Sequence, residues 1–263
     1  MPEKIMIFIP AYNCEKQIPR VLGKINDEVQ QFVQEVVVID NGSADKTLAS
    51  ATEAIQPLKI KATILKNTQN YSLGGSIKRA LLYAIEQGYD YMIVLHGDDQ
   101  ADIRDLLPVL RKGEHRENDL LIGARFHPDS VLQGYSATRI YGNKVLNFVC
   151  SLINHRRVDD LIAGINCFNV SFFKSRFFMQ FPDNLTFDAH VLLYAFNKKA
   201  RVKYVPITWR EEDQISNAKV FKQAWIILKL FMSYVFKGDK VFAGNKSGRP
   251  DGFQYTSEVI AQK

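Results

Sequence analysis

Residues 91–102 read YMIVLHGDDQAD, and this stretch decides the fold of the chain. Its first five residues are apolar or aromatic and lead into turn residues, which is the pattern of a strand buried on both faces. In open α/β sheets, ligands bind where such strands end. An imidazole (His96), two carboxylates (Asp98 and Asp99) and a carboxamide (Gln100) at that point favour an oxygen-rich metal site. The alternative is a turn in which the Asp and Gly residues serve only as turn and cap residues.

Strand-like and helix-like segments alternate through the first 125 residues. Short apolar runs predict strands at residues 4–10, 35–40, 60–66, 91–95 and 119–125. Helical spacing of apolar residues predicts helices at 15–31, 76–87 and 102–112, with one more beginning near Asp45. This alternation is typical of parallel β-α-β units, so we predict an α/β fold with a mostly parallel sheet flanked by helices.

The second half of the chain is less regular. We expect helices at residues 137–153 and 187–198 and strands at 165–170 and 201–209. Pro206 favours an edge position for the last of these strands. We also expect residues 67–75 to form a polar loop that ends at Gly75, and the polar sequence after about residue 238 to be a loosely held tail.

Composition limits the classes of function. The 263 residues suit one α/β domain with or without an appendage, and 46% hydrophobic residues supply a core. A net charge of +6 suits anionic ligands or an anionic membrane surface, and the absence of a clustered basic block argues against nucleic acid. Cys14, Cys150 and Cys167 lack metal-ligand spacing and predict reduced thiols in a cytosolic protein. We find no signal-peptide layout and no run of about 18 apolar residues that would span a membrane.

Residues 219–237 predict a helix with two unequal faces. Its polar residues fall within one narrow stripe: Lys219, Lys222, Lys229, Ser233 and Lys237. The remaining surface is apolar and aromatic, and includes Val220, Phe221, Trp225, Ile226, Leu228, Phe231, Met232 and Phe236. A wide apolar face opposite lysines is typical of a helix lying in a membrane interface. The alternative is a helix packed on the domain core or in a dimer interface.

Five short motifs follow these elements in order. They are PAYNC at residues 10–14, DNGSAD at 40–45, HGDDQ at 96–100, GAR at 123–125 and DLIAG at 160–164. Together they resemble the family-2 glycosyltransferases of the GT-A fold, and more closely the dolichyl- and polyprenyl-phosphate hexose synthases. His96 and Asn41 stand where that family usually has Asp. The resemblance covers about residues 4–215 and implies a GT-A domain over 1–215. Independently of it, the residue pattern predicts an amphipathic helix over 216–238, of a kind that suits a membrane interface, and a polar tail over 239–263.

The resemblance implies an activity. We expect an inverting glycosyltransferase that moves a hexose from a UDP- or GDP-sugar to a polyprenyl phosphate, as a peripheral protein at the cytoplasmic face of a membrane. We expect Mn²⁺ or Mg²⁺ as cofactor, no nucleic-acid partner and possibly a homodimer. One alternative is transfer to a hydroxyl of a glycan or lipid-linked saccharide with Asp188 as base, and another is a nucleotide-sugar-binding protein that does not catalyse. An oxidoreductase is disfavoured because no Gly-x-Gly-x-x-Gly follows the first strand.

The resemblance also implies roles for individual residues. The metal ligands would be Asp98, Gln100 and His96. The nucleotide-binding residues would be Pro10, Ala11, Tyr12, Asn13, Asp40, Gly75, His96 and Asp98. The acceptor and phosphate-binding residues would be Arg125, Arg139 and Asp160, and the catalytic residues Asp98, Asp188 and Arg125.

Several of these residues have a purely structural alternative. Asp40 could form an Asx-turn or a helix cap, Arg125 and Arg139 could be solvated surface arginines, and Asp188 could cap the helix that follows it.

Overall fold

A computed structural model describes residues 3–161, 163–213 and 220–263, without the side chains of Val220 and Phe221. The strands are β1 (Ile5–Ala11), β2 (Glu35–Asp40), β3 (Lys61–Asn67), β4 (Tyr91–Leu95), β5 (Leu120–Ala124), β6 (Val131–Gln133), β7 (Ile165–Asn169), β8 (Val202–Pro206), β9 (Thr208–Arg210) and β10 (Ser257–Gln262). The α-helices are α1 (Ile18–Gly23), α2 (Asp27–Gln30), α3 (Thr47–Ala54), α4 (Ser72–Glu86), α5 (Leu107–Arg111), α6 (Ala137–Asn154), α7 (Val170–Phe173), α8 (Phe187–Asn197) and α9 (Val220–Lys237).

Eight strands form one sheet in the order β10-β3-β2-β1-β4-β7-β5-β8, and β6 pairs with β9 in a small second sheet. The pairs β1–β2, β1–β4, β2–β3 and β5–β8 are parallel. Strand β7 runs antiparallel to β4 and β5, and β10 runs antiparallel to β3. The sheet is therefore mostly parallel, as the alternating pattern predicted.

The central strands are buried on both faces. Along β1, Met6 and Phe8 belong to one hydrophobic core and Ile7 and Ile9 to the other, because successive side chains of a strand point to opposite faces. Helix α4 packs on the first face, while α1 and α3 pack on the second. Two covered faces explain why these strands are continuous apolar runs in the sequence.

The antiparallel direction of β7 brings the segment before it to the same edge of the sheet as the residues after β4. Because β7 is antiparallel to β4, its first residue, Ile165, pairs with Leu95, the last residue of β4. The segment that precedes β7 therefore reaches the same sheet edge as residues 96–100. The backbone N–H of His96 donates to the carbonyl oxygen of Gly164 at 3.0 Å, which joins the two segments directly.

Two predictions about the ends of elements were wrong. Helix α4 begins at Ser72, so the expected loop over 67–75 is shorter and Gly75 is helical. Residues 239–263 are not loosely held: Val241, Phe242 and Tyr255 are buried, and β10 extends the sheet alongside β3. The side chains of β10 are largely exposed and only its backbone pairs with β3, so its sequence carries no pattern of a buried strand.

Smaller differences concern continuity. The helix expected over 15–31 is two short helices, α1 and α2, and the helix expected over 102–112 is a 3₁₀ turn followed by α5. The strand expected over 201–209 divides at Ile207 into β8 and β9; β8 is an edge strand, as Pro206 predicted.

The three cysteines are free thiols. All three cysteines are buried without a disulfide, and burial raises the pKa of each thiol above its ordinary value. Within the three described ranges, no helix combines the length and the apolar character needed to cross a bilayer.

Candidate active site

The carboxyl ends of β1, β2 and β4 meet at one edge of the sheet. Asp40 ends β2 opposite Ala11 of β1, and residues 96–100 follow β4 on the other side of β1. The carbonyl oxygen of Pro10 accepts from the Gly97 N–H at 3.1 Å, and that of Ala11 accepts from the Asn41 N–H at 2.9 Å. The DNGSAD and HGDDQ motifs are therefore both hydrogen-bonded to β1, through Ala11 and Pro10 respectively. A Cβ at position 97 would lie 2.9 Å from the Pro10 oxygen, so this contact requires glycine.

The carboxylate of Asp40 forms an Asx-turn. It is fully buried and accepts from the N–H groups of Gly42 at 3.1 Å and Ser43 at 3.2 Å. The structural alternative for Asp40 therefore holds, and its contact with a nucleotide base stays a prediction. Beside it, Tyr12 is 47% exposed and Asn13 has a φ of 50°, so the 10–13 segment presents an open, locally constrained turn.

The hydrogen bonds of the Asn41 side chain require an amide at the position where the resembled family has Asp. Its Oδ1 accepts from Asn67 Nδ2 at 3.0 Å and from the Tyr71 N–H at 2.8 Å, while its Nδ2 donates to Asn70 Oδ1 at 3.0 Å. A carboxylate could accept the first two bonds but could not donate the third. This role of Asn41 could not be predicted from the motif, because the partners Asn67, Asn70 and Tyr71 lie at the end of β3 and in the residues after it.

The two carboxylates of the central motif point to different partners. Asp99 binds Arg20, with 2.7 Å between Nε and Oδ2, and also binds Lys24. It adopts a φ of 64°, which is uncommon for a residue with a side chain. The Asp98 carboxylate accepts only from the N–H of Gln100, at 3.2 Å, among the hydrogen bonds of the described residues. Asp99 therefore anchors the loop to α1, and Asp98 is left for a ligand.

His96, Asp98 and Gln100 carry donor atoms that suit a divalent ion, and their role as metal ligands stays a prediction. No group of three or more His, Cys, Asp or Glu side chains within the described chain is placed to hold a metal by itself. The buried Nε2 of His96 has no hydrogen-bond partner among those residues. Burial lowers the pKa of His96, so the imidazole is neutral and can serve as a ligand. One carboxylate with an imidazole, a carboxamide and phosphate oxygens is a donor set that Mn²⁺ accepts.

Arg125 is buried and ion-paired. Its Nε and Nη2 donate to the two oxygens of Asp160, each at 2.8 Å, and Nη1 donates to the Tyr135 hydroxyl at 3.1 Å. Burial alone would lower the pKa of Arg125, but the charge of Asp160 outweighs it and raises that pKa. Rings of Phe126, Tyr135 and Trp209 lie 5.1 to 5.7 Å from the guanidinium carbon. The alternative of a solvated surface arginine was therefore wrong for Arg125.

Arg139 lies on the same tyrosine. Its guanidinium carbon is 4.7 Å from the Tyr135 ring centroid, and its Nη1 donates to both oxygens of Glu211, at 2.5 and 2.7 Å. Glu211 also accepts from Nε2 of Gln100 at 3.4 Å. The structure thus brings both predicted phosphate-binding arginines beside the central motif. Glu211 was not among the predicted site residues. The only signal for it in the sequence is the cluster of charged residues in WREED at 209–213.

Asp188 lies in apolar surroundings. It is 8% exposed in the first turn of α8 and lines a small cavity with Leu120, Ile122, Leu161, Ala163, Asn166, Phe168 and Val191. Its Oδ1 has no hydrogen-bond partner among the described residues, and burial raises its pKa to about 7. The N-cap residue of α8 is Thr186, so Asp188 lies inside the first turn and not at the capping position. Its role as a base stays a prediction.

We expect the replacement Asp188→Asn to stabilise the protein at pH 8 and to change little at pH 4. The pKa of this carboxyl rises from 3.8 to about 7 on folding, so the folded chain keeps a proton that the unfolded chain has released. Wild-type stability therefore falls as the pH rises through this window. The replacement removes a penalty of at most roughly 4 kcal/mol above pH 7. Urea denaturation at both pH values measures it, with Asp129→Asn as an exposed control. An equal effect at the two pH values would contradict the raised pKa.

Gly75 is enclosed by protein. Its N–H donates to the carbonyl oxygen of Asp183 at 3.2 Å, and a Cβ would lie 2.6 Å from that of Tyr71. Close packing of α4 therefore accounts for this glycine, and a contact with nucleotide stays a prediction. Ile162, within the DLIAG motif, and Lys219 lie outside the described residues.

Known proteins resemble the chain in both sequence and fold. It is 24% identical over 265 residues to the dolichyl-phosphate beta-glucosyltransferase of Saccharomyces cerevisiae, covering 90% of this chain and 77% of that protein. It is 22% identical over 216 residues to the polyprenol monophosphomannose synthase of Mycolicibacterium smegmatis, covering 80% and 79%. These relatives confirm the branch that the motifs indicated.

A solved structure agrees with the fold. The glucosyl-3-phosphoglycerate synthase of Mycobacterium tuberculosis, crystallised with Mn²⁺, UDP and phosphoglyceric acid, superposes with a TM-score of 0.65 at 15% identity, covering 98% of this chain and 86% of that one. The model of the family described as glycosyl transferase family 2 matches residues 6–181. The chain therefore belongs to glycosyl transferase family 2 and is a glycosyltransferase built on the GT-A fold.

Proposed function

We propose that this protein transfers a hexose from a UDP- or GDP-sugar to a polyprenyl phosphate, with inversion, at the cytoplasmic face of a membrane. The observation that carries the proposal is the meeting of Asp98 and Gln100 with Arg125 and Arg139 at one sheet edge, where Glu211 joins Gln100 to Arg139. One cluster then offers both a metal-phosphate site and two guanidinium groups. The relatives named above act on polyprenyl and dolichyl phosphates according to their names.

The donor would lie across the ends of β1, β2 and β4. Residues 10–13 and Asp40 would line the nucleoside site, and Asp98, Gln100 and His96 would hold Mn²⁺ or Mg²⁺. When bound, that ion would neutralise charge on the leaving nucleoside diphosphate. The crystals of the mycobacterial synthase with Mn²⁺ and UDP support a divalent ion in this fold. Asp99 would keep the loop in place through Arg20 and Lys24.

The acceptor phosphate would lie against Arg125 and Arg139. Each guanidinium already pairs with a carboxylate, Arg125 with Asp160 and Arg139 with Glu211. We therefore expect the positive charge of the two groups, and not an open fork, to attract the acceptor phosphate. An acceptor oxygen then attacks the anomeric carbon as the bond from that carbon to the nucleoside diphosphate breaks, which inverts the configuration. A phosphate is already anionic at neutral pH and needs no base.

The alternative acceptor is a hydroxyl group of a glycan or lipid-linked saccharide, with Asp188 as base. An alcohol must lose its proton in the reaction, so this chemistry needs such a group. The remaining alternative, binding without catalysis, rests on the replacement of the family's Asp residues by His96 and Asn41.

A transfer assay separates these three functions. Purified full-length protein is incubated with UDP-glucose, UDP-N-acetylglucosamine or GDP-mannose, with Mn²⁺, and with either undecaprenyl or dolichyl phosphate or a lipid-linked disaccharide. Formation of a polyprenyl-phosphate hexose that EDTA abolishes and Mn²⁺ restores supports the proposal. Transfer only to the saccharide supports the hydroxyl acceptor, whereas binding of nucleotide without any transfer or hydrolysis supports the non-catalytic function.

Membrane contact would use two neighbouring helices, α6 and α9, which pack against each other. One face of α9 is buried through Ile227, Leu230 and Phe231, so the helix packs on the core as the alternative expected. The opposite face is nevertheless exposed and apolar, and a matching stripe runs along α6. The exposed residues of the two stripes are Trp225, Met232, Val235 and Phe236 on α9 and Tyr141, Val145, Phe148 and Leu152 on α6.

The charges beside this apolar surface favour an anionic membrane over a second copy of the chain. Lys144, Lys222, Lys229 and Lys237 are exposed on the two helices. Neither helix contains an Asp or Glu residue. A positively charged rim around an apolar surface suits anionic lipid headgroups, and two copies would bring like charges together.

We expect the protein to float with vesicles of phosphatidylglycerol and phosphatidylcholine, and Phe148→Asp combined with Phe236→Asp to reduce the bound fraction at least fivefold. Each replacement puts a charge where an exposed ring would enter the interface. Val259→Asp is the matched control, since Val259 is 59% exposed on β10, away from both helices. Unchanged flotation of the double variant contradicts this surface. A dimer in light scattering that the double variant abolishes, without flotation of the wild type, would assign it to a second copy.

A further inference from the structure

The C-terminal segment, residues 244–263, packs against the loop that follows β3. Strand β10 pairs with β3, and Thr68 N–H donates to the carbonyl oxygen of Thr256 at 3.3 Å. The Tyr71 hydroxyl in turn accepts from the Thr256 N–H at 3.1 Å. This places residues 249–257 beside residues 67–71, at the carboxyl edge of the sheet where the donor is proposed to bind.

A buried ion cluster fixes the segment to the domain. Lys78, in α4, is fully buried, and its Nζ lies 2.7 Å from Asp183 Oδ1. The same oxygen accepts from the Tyr255 hydroxyl at 2.6 Å, and Asp183 Oδ2 accepts from Arg249 Nε at 3.0 Å. The carboxylate of Asp183 therefore binds Lys78 of α4 together with Arg249 and Tyr255 of the C-terminal segment. Because a buried charge left without its partner is costly, this cluster holds Arg249 in place.

Arg249 extends from that cluster to the loop. Its Nη1 donates to Gln69 Oε1 and its Nη2 to the carbonyl oxygen of Asn70, each at 3.1 Å. The guanidinium carbon lies 5.5 Å from the Tyr71 ring centroid and 5.1 Å from that of Phe253. One planar fork therefore joins Asp183 on one side to the loop on the other, which a lysine could not do.

The loop passes this constraint to the end of β2. Asn70 Oδ1 accepts from Asn41 Nδ2, and Asn41 Oδ1 accepts from the Tyr71 N–H. Asn41 follows Asp40 directly and is itself bonded to Ala11. An unbroken series of hydrogen bonds therefore joins Arg249 to the residues proposed to line the nucleoside site.

We propose that Arg249 is a positioning residue for the nucleotide: it holds residues 67–71, and through Asn70 and Asn41 the end of β2, in the shape that binds the nucleoside of the donor. This inference rests on the proposed function, because it assumes that a nucleotide binds at this edge. Arg249 acts through the loop and has no part in the transfer step, so its loss affects donor affinity rather than turnover.

We expect Arg249→Ala to weaken binding of UDP or GDP about tenfold in calorimetry, and to raise KM for the donor similarly while kcat changes less than twofold. Hydrogen–deuterium exchange on the protein alone should show faster exchange at residues 67–72. Arg249→Lys keeps a charge for Asp183 but lacks the fork, so its affinity should resemble that of the alanine variant. Arg201→Ala is the matched control, because Arg201 pairs with Asp119 at the opposite end of the strands.

Each outcome of these measurements supports or overturns the proposed role of Arg249. Faster exchange together with weaker nucleotide binding supports the proposal. Unchanged exchange at 67–72 overturns it, and so does faster exchange with unchanged affinity, or full rescue by Arg249→Lys. If the wild type itself binds neither UDP nor GDP, the proposed function fails first, and that failure is visible without any variant. A variant that does not fold is replaced by Gln69→Ala, which removes one bond of the loop and leaves the buried cluster intact.

Discussion

Replacing Asp98 by Asn should lower kcat for hexose transfer by at least about 10³-fold while leaving the fold intact. A carboxylate that positions a cation on the leaving diphosphate contributes several kcal/mol to the stability of the transition state, and each 1.4 kcal/mol corresponds to about a tenfold change in rate. The variant keeps the size of the side chain and loses its charge. The measurement is steady-state transfer with saturating donor and Mn²⁺.

The matched comparisons for Asp98 separate charge from structure. The only hydrogen bond that the structure gives its carboxylate comes from the Gln100 N–H, and an Asn oxygen can accept it. Burial raises the pKa of the Asp98 carboxyl, so a neutral amide removes a cost of burying charge. We therefore expect the melting temperature of the variant to equal or exceed that of the wild type. Asp129→Asn, which removes an exposed carboxylate, should leave both values unchanged. More than a tenth of wild-type activity in Asp98→Asn would contradict the proposed metal site.

Replacing Arg125 by Ala should abolish transfer and also destabilise the protein by about 3–5 kcal/mol. The side chain shares three hydrogen bonds between the two oxygens of Asp160 and the Tyr135 hydroxyl, and Asp160 is only 1% exposed. Its removal leaves a buried carboxylate without its guanidinium, which costs more than the ion pair contributes. Urea denaturation measures the loss of stability, and the transfer assay measures the loss of activity.

A second variant distinguishes the two effects. Combining Arg125→Met with Asp160→Leu replaces the ion pair by apolar side chains, which is often neutral for stability. The pair should recover most of the stability lost in Arg125→Ala and none of the activity, because the positive charge that attracts the acceptor phosphate is gone. Arg125→Lys should stay folded and lose at least tenfold in affinity for polyprenyl phosphate. Recovery of activity in the apolar pair would show that Arg125 is structural only.

Local patterns were enough to predict the sheet and the motif that it carries. The apolar run before His96 is buried on both faces because helices cover the sheet on both sides, and that requires nothing beyond the periodicity of the run. The ends of β2 and β4 were predicted to carry the site because parallel strands bring their carboxyl ends to one edge. The pattern grouped Asp98 with Asp99, and the structure separates them, since Asp99 binds Arg20 and Lys24.

Contacts between distant parts of the chain could not be inferred in this way. Glu211 reaches Gln100 and Arg139 only because β9 pairs with β6 outside the main sheet. The end of the chain was expected to be a polar tail, yet Arg249 and Tyr255 share Asp183 with the buried Lys78. Helix α9 has apolar residues on most of its surface, and only the packed domain decides that Phe231 is buried while Phe236 is 81% exposed.

Residue patterns alone were sufficient to predict the α/β fold, most of its strands and the residues that follow them at the carboxyl edge. These depend on the period of apolar residues and on turn chemistry, which act over a few neighbouring residues. The tertiary structure alone decided that β7 runs antiparallel, that β10 closes against β3 and that Arg249 lies beside Asn70. Such pairings join residues as far apart as Thr63 and Gln262. They depend on how the whole chain packs, which a local pattern of residues does not report.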